Sequence, residues 1–221
     1  MKDKFVINIG RQLGSGGKAV GEAVAARLGI GVYDKQLINL AAEQSGICPE
    51  IFEKADEKES RNLFATFIGY LRSPFVGSEY SGSNVLSSDA LFKIQSDVIR
   101  DLASRESCVF VGRCADYILR EREDVFNVFV HAPMAYRADR IVRLYGESER
   151  SPKQRLQDKD KKRRVNYKHY TGRDWGVSQN YHLSLDSAAI GVDHCADVIL
   201  YAMGLDPAKL PMPEGEKMEH T

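Results

Sequence analysis

The most constraining feature of the chain is a glycine-dense link close to its start, Gly10-Arg-Gln-Leu-Gly14-Ser15-Gly16-Gly17-Lys18-Ala19. Before it stands the short apolar run Phe5-Val-Ile-Asn-Ile9, rich in β-branched residues, which reads as a buried strand. After it, Val20, Ala23, Val24 and Leu28 recur at i, i+3, i+4 and i+8, the apolar stripe of a helix that Gly29 is placed to stop. A strand, a glycine loop and a helix in that order suit a polyphosphate. Glycines let backbone N–H groups converge on an anion, and the helix start adds positive potential.

The phosphate-loop consensus G-x-x-x-x-G-K-S/T fits only in part. If Lys18 is its lysine, the first glycine falls on Gln12 and the hydroxyl residue on Ala19. Shifted back by one, the lysine position falls on Gly17. Each register lacks a usual part. A magnesium ligand then has to come from Ser15, from a carboxylate elsewhere, or from water. The plainer alternative is a glycine-rich turn that binds nothing.

Further along, apolar runs alternate with helical patterns. Ile30–Tyr33, Cys108–Val111, Val125–Val130 and Tyr181–Leu185 read as strands. Helices are expected over about 34–42, 50–72, 91–102, 134–145, 152–170 and 192–203, and 73–88, with six serines, reads as a loop. The alternation predicts an α/β fold of three layers, a parallel doubly wound sheet with helices on both faces. Ligands of such sheets lie beyond the carboxyl ends of the strands. The glycine loop, Asp34, Gly112-Arg113 and Asp186 all fall there.

With 31 basic and 31 acidic residues the chain has no net charge, which argues against a nucleic-acid coat. The charge is unevenly spread: residues 150–168 hold nine basic and two acidic side chains, a balance of +7. Arg155, Lys159, Lys162, Arg163, Asn166, Tyr167 and Tyr170 share one broad face of the helix expected there. So positive a helix either closes over a polyanion or is a solvated surface helix or acidic-partner site. Arg137 and Arg140, spaced i,i+3 on the preceding helix, either face the same cleft or pair on the surface. Asp34 and Asp186 either meet ligand or cap the helix that follows. Asp116 is a weaker carboxylate candidate near Arg113. Cys48, Cys108, Cys114 and Cys195 form no C-x-x-C pair, and the five histidines have no metal spacing. No run approaches a signal or membrane segment, so a cytoplasmic location with no membrane partner is expected.

Taken together, these segments resemble the cytidylate kinase-like proteins within the P-loop nucleoside-monophosphate kinases. Val6 to Lys18, Leu28-Gly-Ile-Gly-Val-Tyr-Asp34 and Phe110-Val-Gly-Arg113-Cys-Ala-Asp116-Tyr are similar to family segments. So are Phe129 to Arg140, Asp160-Lys-Lys-Arg163, Tyr170-Thr-Gly172, Trp175-Gly176 and Leu183-Ser-Leu-Asp186-Ser187, so that the likeness spans about 4–203. The resemblance implies a five-stranded core over 1–205, an acceptor-binding part over about 35–90, a basic lid over about 146–175, and magnesium-ATP-dependent transfer to CMP or dCMP. Residues 206–221 read as a disordered tail. By motif, Gly14, Ser15, Gly16, Gly17 and Lys18 would hold the ATP phosphates, with Ser15 a metal ligand. Asp34, Arg113 and Asp186 would address the acceptor. Lys18, Arg137, Arg140, Lys159 and Arg163 would neutralise the transferring group.

Two departures from that pattern bear on the acceptor. The loop lacks the Lys-Ser/Thr pair, and Asp34 is followed by Lys-Gln-Leu-Ile without the Thr-Gly and Tyr-Arg of true cytidylate kinases. A kinase for another small metabolite and a non-catalytic nucleotide sensor are therefore alternatives. The sensor is favoured by Gln12, by Ala19 and by the lack of a carboxylate directly after Val111.

Overall fold

The structure, a computed structural model, describes residues 4–34 and 88–210. The helices expected over 34–42 and 50–72, the serine-rich loop, Cys48 and the tail beyond 210 lie outside the described residues. Five strands form one sheet: β1 (Val6–Arg11), β2 (Gly31–Tyr33), β3 (Cys108–Val111), β4 (Val125–His131) and β5 (Leu183–Asp186). All neighbours are parallel, in the order β2-β3-β1-β4-β5. The expected parallel α/β sheet is present, and its strands lie within two or three residues of the apolar runs that announced them.

The helices are α1 (Gly17–Leu28), α2 (Ser88–Arg105), α3 (Ala115–Ile118), α4 (Met134–Tyr145), α5 (Pro152–Thr171), α6 (Ser187–Ile190) and α7 (Val192–Ala202). Side-chain alternation along the strands builds a core on each face of the sheet. Ile7, Ile9, Val109, Val111, Val128 and Val130 pack with α1 and α7, through Val20, Val24, Cys195, Ile199 and Leu200. On the opposite face Val6, Cys108 and Phe110 pack with Ile99, Leu102, Ala115 and Ile118. Runs buried on both faces explain why β3 reads as continuous Cys-Val-Phe-Val rather than as alternating apolar and polar residues. Downstream of α7, a 3-10 turn at Pro207–Lys209 buries Pro207, so the packed chain runs past 206.

Of the central strands, β1 is paired on both sides, by β3 and by β4. Its pairing with β4 continues through Gly10 and Arg11, and Gln12 N–H adds one more bond to the Val130 carbonyl at 3.1 Å. The strand thus delivers the glycine loop to the carboxyl edge in a fixed register. The ends of β2, β3, β4 and β5 place Asp34, Gly112, His131 and Asp186 along that same edge.

Candidate phosphate-binding site

The loop between β1 and α1 is held on three sides. Gln12 Oε1 accepts from Ala132 N–H at 3.2 Å, beyond the end of β4. Leu13 N–H donates to Asp160 Oδ1 at 2.9 Å, and its carbonyl accepts from Arg137 Nη1 at 3.2 Å. The Ser15 carbonyl accepts from the Ser187 hydroxyl at 2.5 Å. Gly14 and Gly16 both have φ of 77°, in the left-handed region, and the second of them starts α1. Nothing caps that start: Gly16 offers no side chain, and the first turn holds no acidic residue. The amino end of α5, by contrast, is closed by a full capping box between Ser151 and Gln154. An uncapped start with its orphan N–H groups turned to the sheet edge fits an anion.

Around this loop the candidate residues behave differently from one another. Arg140 lies against Gly16, whose added Cβ would meet its Nε and Cζ at 3.6 Å. Arg163 Nη1 donates to the Arg11 carbonyl at 3.0 Å, and burial pulls its guanidinium below the ordinary arginine range. Arg137 is buried and directed inward: Nε donates to the Ala132 carbonyl at 2.9 Å, and Nη1 reaches Asp160 Oδ2 at 2.6 Å. Lys159 is exposed, one position away from the buried stripe of α5. That stripe is Leu156, Asp160, Tyr167 and Thr171, with the half-buried Arg163 between them. The broad basic face expected from sequence therefore divides. Lys162, Asn166 and Tyr170 line a separate open depression of about 700 Å³ on the other side of the helix.

Lys18 is 57% exposed and pairs with Asp34 at 3.1 Å and Glu22 at 3.7 Å. Desolvation lowers its pKa, but the Asp34 bond and the Asp34 and Glu22 charges outweigh that and raise it. Asp186 Oδ1 caps α6 by accepting from Ala188 N–H at 2.9 Å. Arg113 follows Gly112 at the end of β3, with φ of 60°. Its pKa is lowered, chiefly by burial.

The Ser15 side chain is fully buried, and its hydroxyl lies 3.0 Å from the carbonyls of both Gln12 and Val130. Turned inward in this way, it does not fit a magnesium ion in the cleft. Among the described residues no three His, Cys, Asp or Glu side chains come together to hold a metal. Magnesium accompanying ATP would therefore keep mainly phosphate and water ligands, which it tolerates well. No step below is routed through it.

The model of the cytidylate kinase-like family matches residues 6–189. The chain belongs to that family. Membership makes it a phosphotransferase of the kinase type, using ATP on a small molecule. No curated protein matches it. Among solved structures it is similar to a protein from Eubacterium ventriosum described as uncharacterized, 22% identical with a TM-score of 0.66, covering 91% of this chain and 99% of that one. It is also similar to a shikimate kinase from Acinetobacter baumannii solved with shikimate, 17% identical with a TM-score of 0.50 over 91% and 94% of the two chains. A third likeness is to a shikimate kinase from Bacteroides thetaiotaomicron, 11% identical with a TM-score of 0.52 over 91% and 99%. At these identities the likeness is one of fold. Among the described residues no helix is long and apolar enough to cross a membrane.

Two residues that matter here, Asp160 and Asp116, fall in family-like segments, but the sequence assigns no role to the first and only a weak one to the second. Asp160 is one of only two acids in the basic segment, yet it joins the loop, α4 and α5 through Leu13, Arg137 and Arg163. Its signal is position, on the buried i, i+4, i+7, i+11 stripe from Leu156. Asp116 likewise accepts from Tyr167 Oη at 2.6 Å, tying α3 to α5. Burial raises its pKa, and the Tyr167 bond opposes the rise.

Proposed function

We propose that the chain transfers the γ-phosphoryl group of ATP to a nucleoside monophosphate, with CMP or dCMP the first candidates. The observation that carries the reading is the uncapped start of α1 at the sheet edge, with Arg140 against Gly16 and Arg163 bonded to the Arg11 carbonyl beside it. The donor phosphates lie along the loop from Gly14 to Lys18, taking hydrogen bonds from its N–H groups. Arg140 and Arg163 stabilise the charge that spreads over the transferring group, and Lys159 completes that set from the exposed flank of α5. Arg137 is placed to hold the loop and α5 in register by way of Asp160, and so to position the others. At the acceptor side, Arg113 binds the monophosphate, while Asp34 and Asp186 orient the nucleoside. The family resemblance of these positions supports the same division of roles.

One observation favours a different small acceptor: Lys-Gln-Leu-Ile follows Asp34 in place of the residues that hold the acceptor in true cytidylate kinases. A coupled ADP-release assay with MgATP against a panel of nucleoside monophosphates and hydroxyl-bearing small acids separates the two. Turnover that needs CMP or dCMP, and falls by about tenfold or more in Arg163→Ala, supports the first reading. Turnover on a hydroxyl acid alone would replace it with the second. ATP binding without turnover on any acceptor would leave a nucleotide sensor.

A further inference from the structure

Arg11 is the last residue of β1, and its side chain lies across the loop. A Cβ added at Gly17 would stand 2.4 Å from Arg11 Cβ and 3.0 Å from its Cγ, so the aliphatic stem passes over the first residue of α1. A Cβ added at Gly112 would stand 1.7 Å from Arg11 Nη1, so the guanidinium rests on bare backbone at the end of β3. Two glycines on two different elements thus make room for one arginine.

Its electrostatic surroundings are unbalanced. Arg163 is bonded to the carbonyl of Arg11 itself, and Arg113 follows Gly112. Burial, with the charges of Arg163 and then Arg113 acting against the nearby carboxylate of Asp34, pushes the Arg11 pKa down to about 9. Asp34 itself is ion-paired with Lys18. Among the described residues the Arg11 guanidinium makes no hydrogen bond and no ion pair. Five N–H donors held beside two like charges, with Asp34 the one opposing carboxylate and already paired with Lys18, are costly in a protein alone and well matched to a polyanion.

The helix start decides how the loop aligns with the phosphate-loop consensus. That motif places its last glycine and lysine where the loop becomes helix, and here those positions are Gly16 and Gly17. Counting back, the first glycine of the motif falls on Arg11. The cation and the glycine have changed places. The arginine has moved to the head of the loop, and its stem occupies the space over residue 17.

We propose that Arg11 is the phosphate-anchoring cation of this loop, in the role a lysine fills directly after the last glycine of the usual motif. The assignment rests on the reading that a donor polyphosphate occupies the loop. The planar fork of Arg11 bonds two phosphate oxygens at once, between the N–H groups of α1 and the guanidinium of Arg163. Lys18 then stands at the hydroxyl position of the motif, where it joins Asp34 to α1.

The test is equilibrium binding of ATP and of inorganic tripolyphosphate to the full chain, by calorimetry, with thermal melting as the check on folding. Arg11→Met keeps the stem and removes the charge, and it should weaken both ligands by about tenfold or more. Arg11→Lys keeps the charge but loses the fork, so it should bind both ligands more weakly than the parent and more tightly than Arg11→Met. The paired change Arg11→Gly with Gly17→Lys rebuilds the usual arrangement and should recover most of the loss. Unchanged affinity in Arg11→Met would overturn the assignment, as would Arg11→Lys binding no better than Arg11→Met while both melt like the parent. If the parent binds tripolyphosphate but not ATP, the nucleotide reading fails and the tripolyphosphate series still decides on Arg11. A parent that binds neither overturns both.

Discussion

Arg137 and Arg11 reach the same loop from opposite sides and differ in what they meet there. Arg137 is satisfied within the protein: two carbonyls and the Asp160 carboxylate take its donors, and Asp160 also accepts from the loop through Leu13. Arg11 meets Arg113 and Arg163, and its guanidinium lies on a glycine. The first arrangement spends its charge on holding three elements together. The second keeps its charge for something the chain does not contain. Burial and proximity to the loop do not separate a structural arginine from a ligand-binding one. The accounting of donors and counter-charges does.

This contrast can be broken in order of size. Arg137→Met leaves Asp160 buried without its main partner, and it should cost about 3–5 kcal/mol in urea unfolding. A loss under about 1 kcal/mol would show that the pair is not what holds the loop. Tripolyphosphate at about one hundred times its Kd should stabilise the parent by about 2.7 kcal/mol, and Arg11→Met far less at the same concentration. Equal stabilisation of the two would place the anion elsewhere. Without ligand, Arg11→Met should unfold within about 1 kcal/mol of the parent or above it, because it removes a charge set between two arginines and opposed only by an Asp34 that is already paired with Lys18. A destabilisation as large as that of Arg137→Met would erase the distinction between the two arginines.

The smallest effect concerns Lys18. Its raised pKa means that the Asp34 pair contributes stability fully below the unfolded lysine pKa and loses it as pH rises through the higher folded value. The side chain is more than half exposed, so Lys18→Met should cost less than about 1 kcal/mol at pH 7. That difference should vanish well above pH 10.5 in a pH series of urea midpoints. A deficit that persists unchanged at the alkaline end would mean the residue acts through packing.

Much of the scaffold can be read from single segments. Cys108–Val111 announces a strand because both its faces are buried, as are those of residues 128–130, and the helix expected over 134–145 matches α4 (Met134–Tyr145). The strand before the loop is longer than its apolar run, because Gly10 and Arg11 keep their pairing with β4 although neither is apolar. That extension hides Arg11. A consensus that looks for a cation after the last glycine passes over one at the head of the loop, and only three-dimensional contact shows Gly17 and Gly112 sharing an arginine. Asp160 stands in a family-like segment, yet its part in joining the loop to α4 and α5 is hidden for a related reason. In a segment of nine basic residues a single acid looks like dilution, until the buried stripe of α5 is known to include it.

The close passage of the Arg11 stem over Gly17 also ties two positions into one unit of inheritance. Any side chain at 17 collides with the Cβ at 11 while that residue is anything but glycine, and glycine at 11 by itself removes the charge. On the role proposed for Arg11, each single step towards the commoner loop brings either a clash or a lost charge. A survey of one substitution at a time would score Gly17 as packing and Arg11 as chemistry, though they form a single device. Keeping the charge on the way to the commoner loop therefore asks for both changes together.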